Sequence, residues 1–135
     1  MLIDATNAER INSKDVHLHD DLFLSFSFIR DSCEAVILCS DYKHNYEITF
    51  HDVIGLEMTS CDFWGSGPNI NCFYYVSENE RILVPKLQDE YEKYALPDDL
   101  PFDNEIYIET VLSLISGDRI RIACKMIQIG KYGIT

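Results

Sequence analysis

Ile106-Tyr107-Ile108-Glu109-Thr110-Val111-Leu112-Ser113-Leu114-Ile115, followed beyond Ser116-Gly117-Asp118 by Arg119-Ile120-Arg121-Ile122-Ala123-Cys124-Lys125-Met126-Ile127-Gln128-Ile129, is the stretch that decides the fold. Apolar residues recur at every second position in both halves, the period of a strand with one face committed to a core. Serine, glycine and aspartate between them supply turn chemistry. The pair therefore reads as a β-hairpin, and its register follows from keeping like with like. A three-residue connection sets Leu114 opposite Ile120, Leu112 opposite Ile122, Thr110 opposite Cys124 and Ile108 opposite Met126, with Glu109 facing Lys125 on the other side. A two-residue turn would set Leu112 against Ala123 and Leu114 against Arg121, mixing the faces. Opposite charges across strands contribute roughly 0.2–1 kcal/mol, so the apolar column decides the register and the charge pair only agrees.

The same alternation extends toward the N-terminus. In Leu22-Phe23-Leu24-Ser25-Phe26-Ser27-Phe28 the even positions are all apolar, and Val16 and Leu18 share that parity, turning His17 and His19 the other way. Cys33 to Ser40 is apolar on nearly both faces and suits a central strand; Asp41 to Asn45 is a turn, and Tyr46 to Phe50 alternates again. Val53 to Met58 continues the meander with Gly55 as a candidate bulge. Asp62 to Asn69 breaks all periodicity with two glycines and a proline and reads as a loop, after which Ile70 to Val76 is a strand. Only about 85–95 suits a helix: Pro85 fits its first position, Leu87, Tyr91 and Tyr94 fall on one side, and Pro97 and Pro101 end it. The expected architecture is one mainly β domain over 1–135, an antiparallel sandwich or partly open barrel with one short α-helix across an end or edge.

A chain of 135 residues, 47% of them hydrophobic, builds one real core and is not disordered. Its net charge of −12 repels phosphate backbones, which argues against nucleic acid and for a cationic protein partner or none. Cys33, Cys39, Cys61, Cys72 and Cys124 form no C-x-x-C pair and sit among apolar residues, as free core thiols do. Met1 to Asn12 has no basic region followed by an apolar run, so no signal peptide is expected, and no stretch has the length of a membrane span. These readings point to the cytoplasm.

Few residues carry the spacing that chemistry requires. His17-x-His19 on a strand would turn two imidazoles to one side, where they could share a metal; it resembles the H-x-H of the cupin family in those two histidines alone. A solvated strand end is the plainer reading, and no metal or other cofactor is expected. Trp64, in a glycine-flanked loop, reads as a core cap or as an interface anchor. The acids from Asp89 to Glu105, relieved only by Lys93, read as a solvated face or as a docking surface for a basic protein, with Asp98, Asp99 and Asp103 at its centre. No nucleophile elbow, phosphate-binding loop or dinucleotide fingerprint is present, so an enzyme is not expected.

The His19-Asp20 dipeptide, two apolar strands, and then Tyr46, Ile48, Phe50 and Val53 in an aromatic-x-Ile-x-Phe pattern followed by valine are similar to small bacterial β-rich domains. Some of those are immunity proteins of toxin systems. The resemblance covers about a quarter of the chain and implies a cytoplasmic binder that neutralises a partner; the acidity is compatible with a cationic, nuclease-type toxin. The expected function is thus non-catalytic protein binding. The alternatives are a ligand-binding barrel, with a cavity lined by residues such as Phe26, Phe28 and Tyr74, or a metal-dependent enzyme using His17 and His19.

Overall fold

The computed structural model describes residues 1–13, 16–59 and 67–132. Among them the chain forms nine strands and one α-helix: β1 (Leu2–Asp4), β2 (Leu22–Ile29), β3 (Glu34–Ser40), β4 (Asn45–His51), β5 (Gly55–Met58), β6 (Ile70–Tyr75), α1 (Leu83–Tyr94), β7 (Ile108–Leu114), β8 (Arg119–Cys124) and β9 (Met126–Tyr132). They build two antiparallel sheets, one ordered β1-β9-β4-β3-β2 and the other β5-β8-β7-β6. The fold is a β sandwich with one short helix, as the alternation implies.

Two strand pairs bend from one sheet into the other at a shared corner, as sandwiches with continuous edges do. β4 passes into β5 at Asp52, whose φ of 54° makes the turn, and β8 passes into β9 at Lys125. The Lys125 N–H donates to the His51 carbonyl at 3.2 Å and the Ile54 N–H to that of Ala123 at 2.9 Å, so pairing carries through the bend. At the opposite side Asp20, Asp21 and Phe23 exchange backbone hydrogen bonds with Pro68 and Ile70, stitching β2 to the start of β6.

Side chains from both sheets fill the space between. Ile37, Ile48, Phe50 and Ile127 meet Ile70, Phe73, Leu112, Ile120 and Ile122, with the Phe50 and Phe73 rings edge to face at 6.2 Å. β7 and β8 lie at the centre of the smaller sheet.

Several local expectations are corrected. The final hairpin slips by two residues: Leu112 faces Ile120, Thr110 faces Ile122 and Ile108 faces Cys124, while Glu109 faces Ala123 and not Lys125. The connection still has three residues but consists of Ile115, Ser116 and Gly117, closed by the Leu114 N–H on the Asp118 carbonyl at 2.8 Å. Gly117 takes the left-handed position that a three-residue hairpin loop requires, with φ of 96°. Asp118 is buried and receives the Thr59 and Ser116 hydroxyls. A shift of two keeps every side chain on its face, which is why apolar matching alone does not exclude it. Met126 does not face Ile108, because beyond Lys125 the strand has joined the other sheet, where Met126 faces His51 and Asp4.

β2 contains a bulge at Leu24: Phe23 faces Cys39 and Ser25 already faces Leu38. Phe23 and Phe26 both pack on the core, so the even-position rule changes parity inside the strand. β5 is regular, and Gly55 is no bulge; a Cβ there would lie 2.6 Å from Leu87 of α1, so the glycine admits the helix. The helix starts two residues earlier than Pro85 and packs on the outer face of the smaller sheet, not across an end. Leu83, Val84 and Ala123 are buried there, with Ile54, Leu87, Phe102 and Tyr107 around them. β1 escapes periodicity analysis at three residues, yet Ile3 is buried. Cys33 is not in a strand interior; it is exposed in the β2–β3 turn with φ of 53°.

Candidate protein-binding face

The helix is fixed by a residue of the sheet beneath it. No side chain of its own first turn caps it; instead the fully buried Glu109 carboxylate of β7 accepts the Ile82 N–H at 3.0 Å and the Val84 N–H at 2.8 Å. Arg121 of β8 completes the site through an ion pair with the same carboxylate. Burial pushes the Glu109 carboxyl upward, but the backbone N–H groups of Ile82, Val84 and Leu83 and the guanidinium outweigh it and hold it below its ordinary value. The acceptor sits where helix N–H groups lack partners and where the helix dipole favours negative charge.

The segment after α1 folds back along it. Tyr91 donates its hydroxyl to the Leu100 carbonyl, Asn104 donates to Gln88 at 3.1 Å, and Phe102 stacks on Tyr107 at 5.3 Å while leaning on Tyr91. The helix and its returning loop are therefore one projecting unit. Asp89, Glu90, Glu92, Asp98, Asp99 and Asp103 are all exposed on it. Two of the expected partner-binding acids also hold the loop: Asp99 accepts the Leu96 N–H at 2.7 Å and Asp103 accepts the Glu105 N–H at 3.0 Å. In the same segment stand Leu96, 69% exposed, and Leu100, 81% exposed, with Tyr94 also exposed. Sequence patterning passed over these leucines, although each directly precedes a proline in a segment too short and polar to bury it. Trp64, the suggested apolar anchor, lies outside the described residues, as does Cys61.

His17 and His19 occupy an irregular segment and not a strand, although their sides are as expected: both are exposed, whereas Leu18 is buried and Val16 half-buried. His19 has structural work. Its Nδ1 donates to the Asn71 carbonyl at 2.7 Å, on the outer edge of β6, and four residues along that edge the Asn12 carboxamide pairs with both the N–H and the carbonyl of Tyr75. Among the described residues no three His, Cys, Asp or Glu side chains converge as a metal site.

His17, His19, Val16 and Leu18 do line a depression of about 470 Å³ with Phe73 and Tyr74. It lies outside the sandwich against the β6 edge, not between the sheets, and Phe26 and Phe28 take no part in it. Arg121 is taken by Glu109, and Lys125 lies over the Tyr107 ring at 6.0 Å. Cys33, Cys39, Cys72 and Cys124 are free thiols, and burial pushes those of Cys39 and Cys124 up to about 12, which makes both inert. No helix among the described residues is long and apolar enough to cross a membrane.

No family model, curated protein or solved structure matches the chain.

Proposed function

We propose that the chain is a non-catalytic protein-binding domain that captures a basic partner on the α1-loop unit, with neutralisation of a cationic toxin, an immunity-like role, as its concrete form. The observation that supports this most is the exposed pair Leu96 and Leu100 held among Asp98, Asp99 and Asp103 on a pinned loop. An apolar centre with a charged rim is the anatomy of a docking surface. A loop already held by Phe102, Asp99 and Asp103 loses little further freedom on binding, which favours affinity. The net charge of −12 draws a cationic partner in and raises its encounter rate. A reduced, cytoplasmic setting suits the free thiols.

The test is association kinetics with a basic, nuclease-type toxin domain, measured between about 50 and 300 mM salt, a range over which exposed charges become strongly screened. Asp98→Lys combined with Asp99→Asn reverses one charge and removes another while leaving an acceptor for the Leu96 N–H. Association should slow with salt and in the double variant, and Leu100→Ser should speed dissociation. Rates indifferent to salt and to all three substitutions, or a captured partner that proves acidic, would sink the proposal.

A further inference from the structure

Arg81, two residues ahead of α1, belongs to a chain with 23 acids, yet among the described residues it is in no ion pair. Its Nη1 donates to the carbonyls of Asn104 and Tyr107, both at 3.1 Å, which holds the guanidinium in place and uses both hydrogens of that nitrogen. Nε is buried without an acceptor, and Nη2 donates to no described residue. These two nitrogens share one edge of the planar fork, an edge on which a carboxylate can accept two parallel hydrogen bonds. A buried donor without an acceptor is costly, and its persistence asks for a reason. Arg81 lines a recess of about 220 Å³ with Tyr75, Glu78, Glu105 and Tyr107, below the roughly 300–1,000 Å³ that drug-sized ligands occupy. Both glutamates are exposed and, among the described residues, in no ion pair.

We propose that this recess binds a free α-amino acid with a small apolar side chain, its carboxylate on Arg81 Nη2 and the unmet Nε beside it, its ammonium toward Glu78 and Glu105, and its side chain against Tyr75 and Tyr107. Charge selects the class. An unpaired guanidinium asks for an anion, whereas two glutamates and a net charge of −12 repel one, a phosphate dianion most of all. A zwitterion meets both demands. The arginine and the glutamates line the same recess yet do not close on one another, so the space between them suits a molecule that carries both signs. The small volume limits that molecule to a single residue. Neither Leu96 nor Leu100 lines the recess, so this site stands or falls apart from the partner-binding face.

Titration of the isotope-labelled full chain with L-valine at neutral pH, up to about 10 mM and followed by amide NMR shifts, reads affinities down to the millimolar range. Valine should bind saturably and move the amides of Glu78, Arg81, Glu105 and Tyr107. Isovalerate and isobutylamine, each lacking one of the two charged groups of valine, should bind about tenfold more weakly or worse. Arg81→Lys keeps the charge but loses the fork, and it should weaken valine binding by about tenfold or more. Should that variant lose its fold, since Arg81 also ties down Asn104 and Tyr107, Glu78→Gln combined with Glu105→Gln carries the test at two exposed positions. The double variant should bind valine more weakly and isovalerate no worse, a contrast that a merely structural role for these residues would not produce. Absence of a saturable shift with valine overturns the proposal. So does isovalerate binding as tightly as valine, or valine binding that moves other amides or is indifferent to the variants.

Discussion

Strand β7, Ile-Glu-Thr-Val-Leu-Ser-Leu, is buried at six of its seven positions, whereas β2, Leu-Phe-Leu-Ser-Phe-Ser-Phe-Ile, is exposed at five of its eight. Both alternate, and β2 is the more apolar of the two. Their neighbours make the difference: β7 lies between β6 and β8 with α1 against its outer face, while β2 has β3 on one side and, among the described residues, no strand partner over most of the other. Alternation tells which faces a strand presents, and neighbours decide whether either is covered. The single charge in β7, Glu109, recruits that cover, because it is the acceptor on which the helix N-terminus rests. β2 has no such residue, and nothing docks above it among the described residues.

The largest effect expected from breaking this comparison is at Glu109. Replacement by alanine strips the helix N-terminus of its acceptor and leaves Arg121 mostly buried without a counter-ion, which should cost about 3–5 kcal/mol. Denaturant melts read the loss, and the far-ultraviolet spectrum should lose helix first. A cost under about 1 kcal/mol would mean that α1 is held by its apolar contacts alone. Next comes Ile122→Ala in the β8 column, where a fully buried isoleucine should cost about 2–5 kcal/mol. Its counterpart in β2, Phe28→Ala, removes a larger side chain yet should cost under about 1 kcal/mol, since the ring is already 42% exposed. Equal losses at the two sites would erase the distinction between the strands.

How much of this was legible in the sequence follows the same division. The faces of the final hairpin were readable from Leu112, Leu114, Ile120 and Ile122, but its register was not. A slip of two preserves every face, and what chooses between registers is Gly117 taking positive φ and Asp118 finding hydroxyl donors from Thr59 and Ser116. Thr59 lies far away in sequence. The β2 bulge was invisible because Phe23, Leu24 and Phe26 are all apolar, so parity can change at Leu24 without breaking the pattern. The acids of the α1 loop were correctly read as exposed; Leu96 and Leu100 were missed because patterning assigns apolar residues to cores. The jobs of His19 and Asn12 depend on backbone groups of β6 more than fifty residues away, a relation that no local spacing contains.

The smallest expected effect concerns two of the buried carboxylates, Glu109 in β7 and Asp21 just before β2, and it differs between them in sign. Glu109 is held below its ordinary value, so the stability it confers is present above about 4.5 and lost as pH falls through its folded-state value. Asp21, buried at the entrance to β2, has no such set of donors among the described residues: desolvation raises its carboxyl, and the neighbouring Asp41 and Asp20 add to this while His17 opposes them. A group raised in the folded state contributes its stability below the unfolded value of about 3.8 and loses it as pH rises through the folded one. At neutral pH an ionised Asp21 therefore works against the fold, and Asp21→Asn, which keeps the shape and the backbone bonds of residue 21 to Ile70 and Leu18, should stabilise it modestly. Melting temperatures of the two proteins measured from pH 7 downward should converge as the pH approaches 3. A variant less stable at pH 7, or a gap that widens in acid, would mean that the Asp21 carboxylate is stabilised as an anion and that the two carboxylates do not differ in sign.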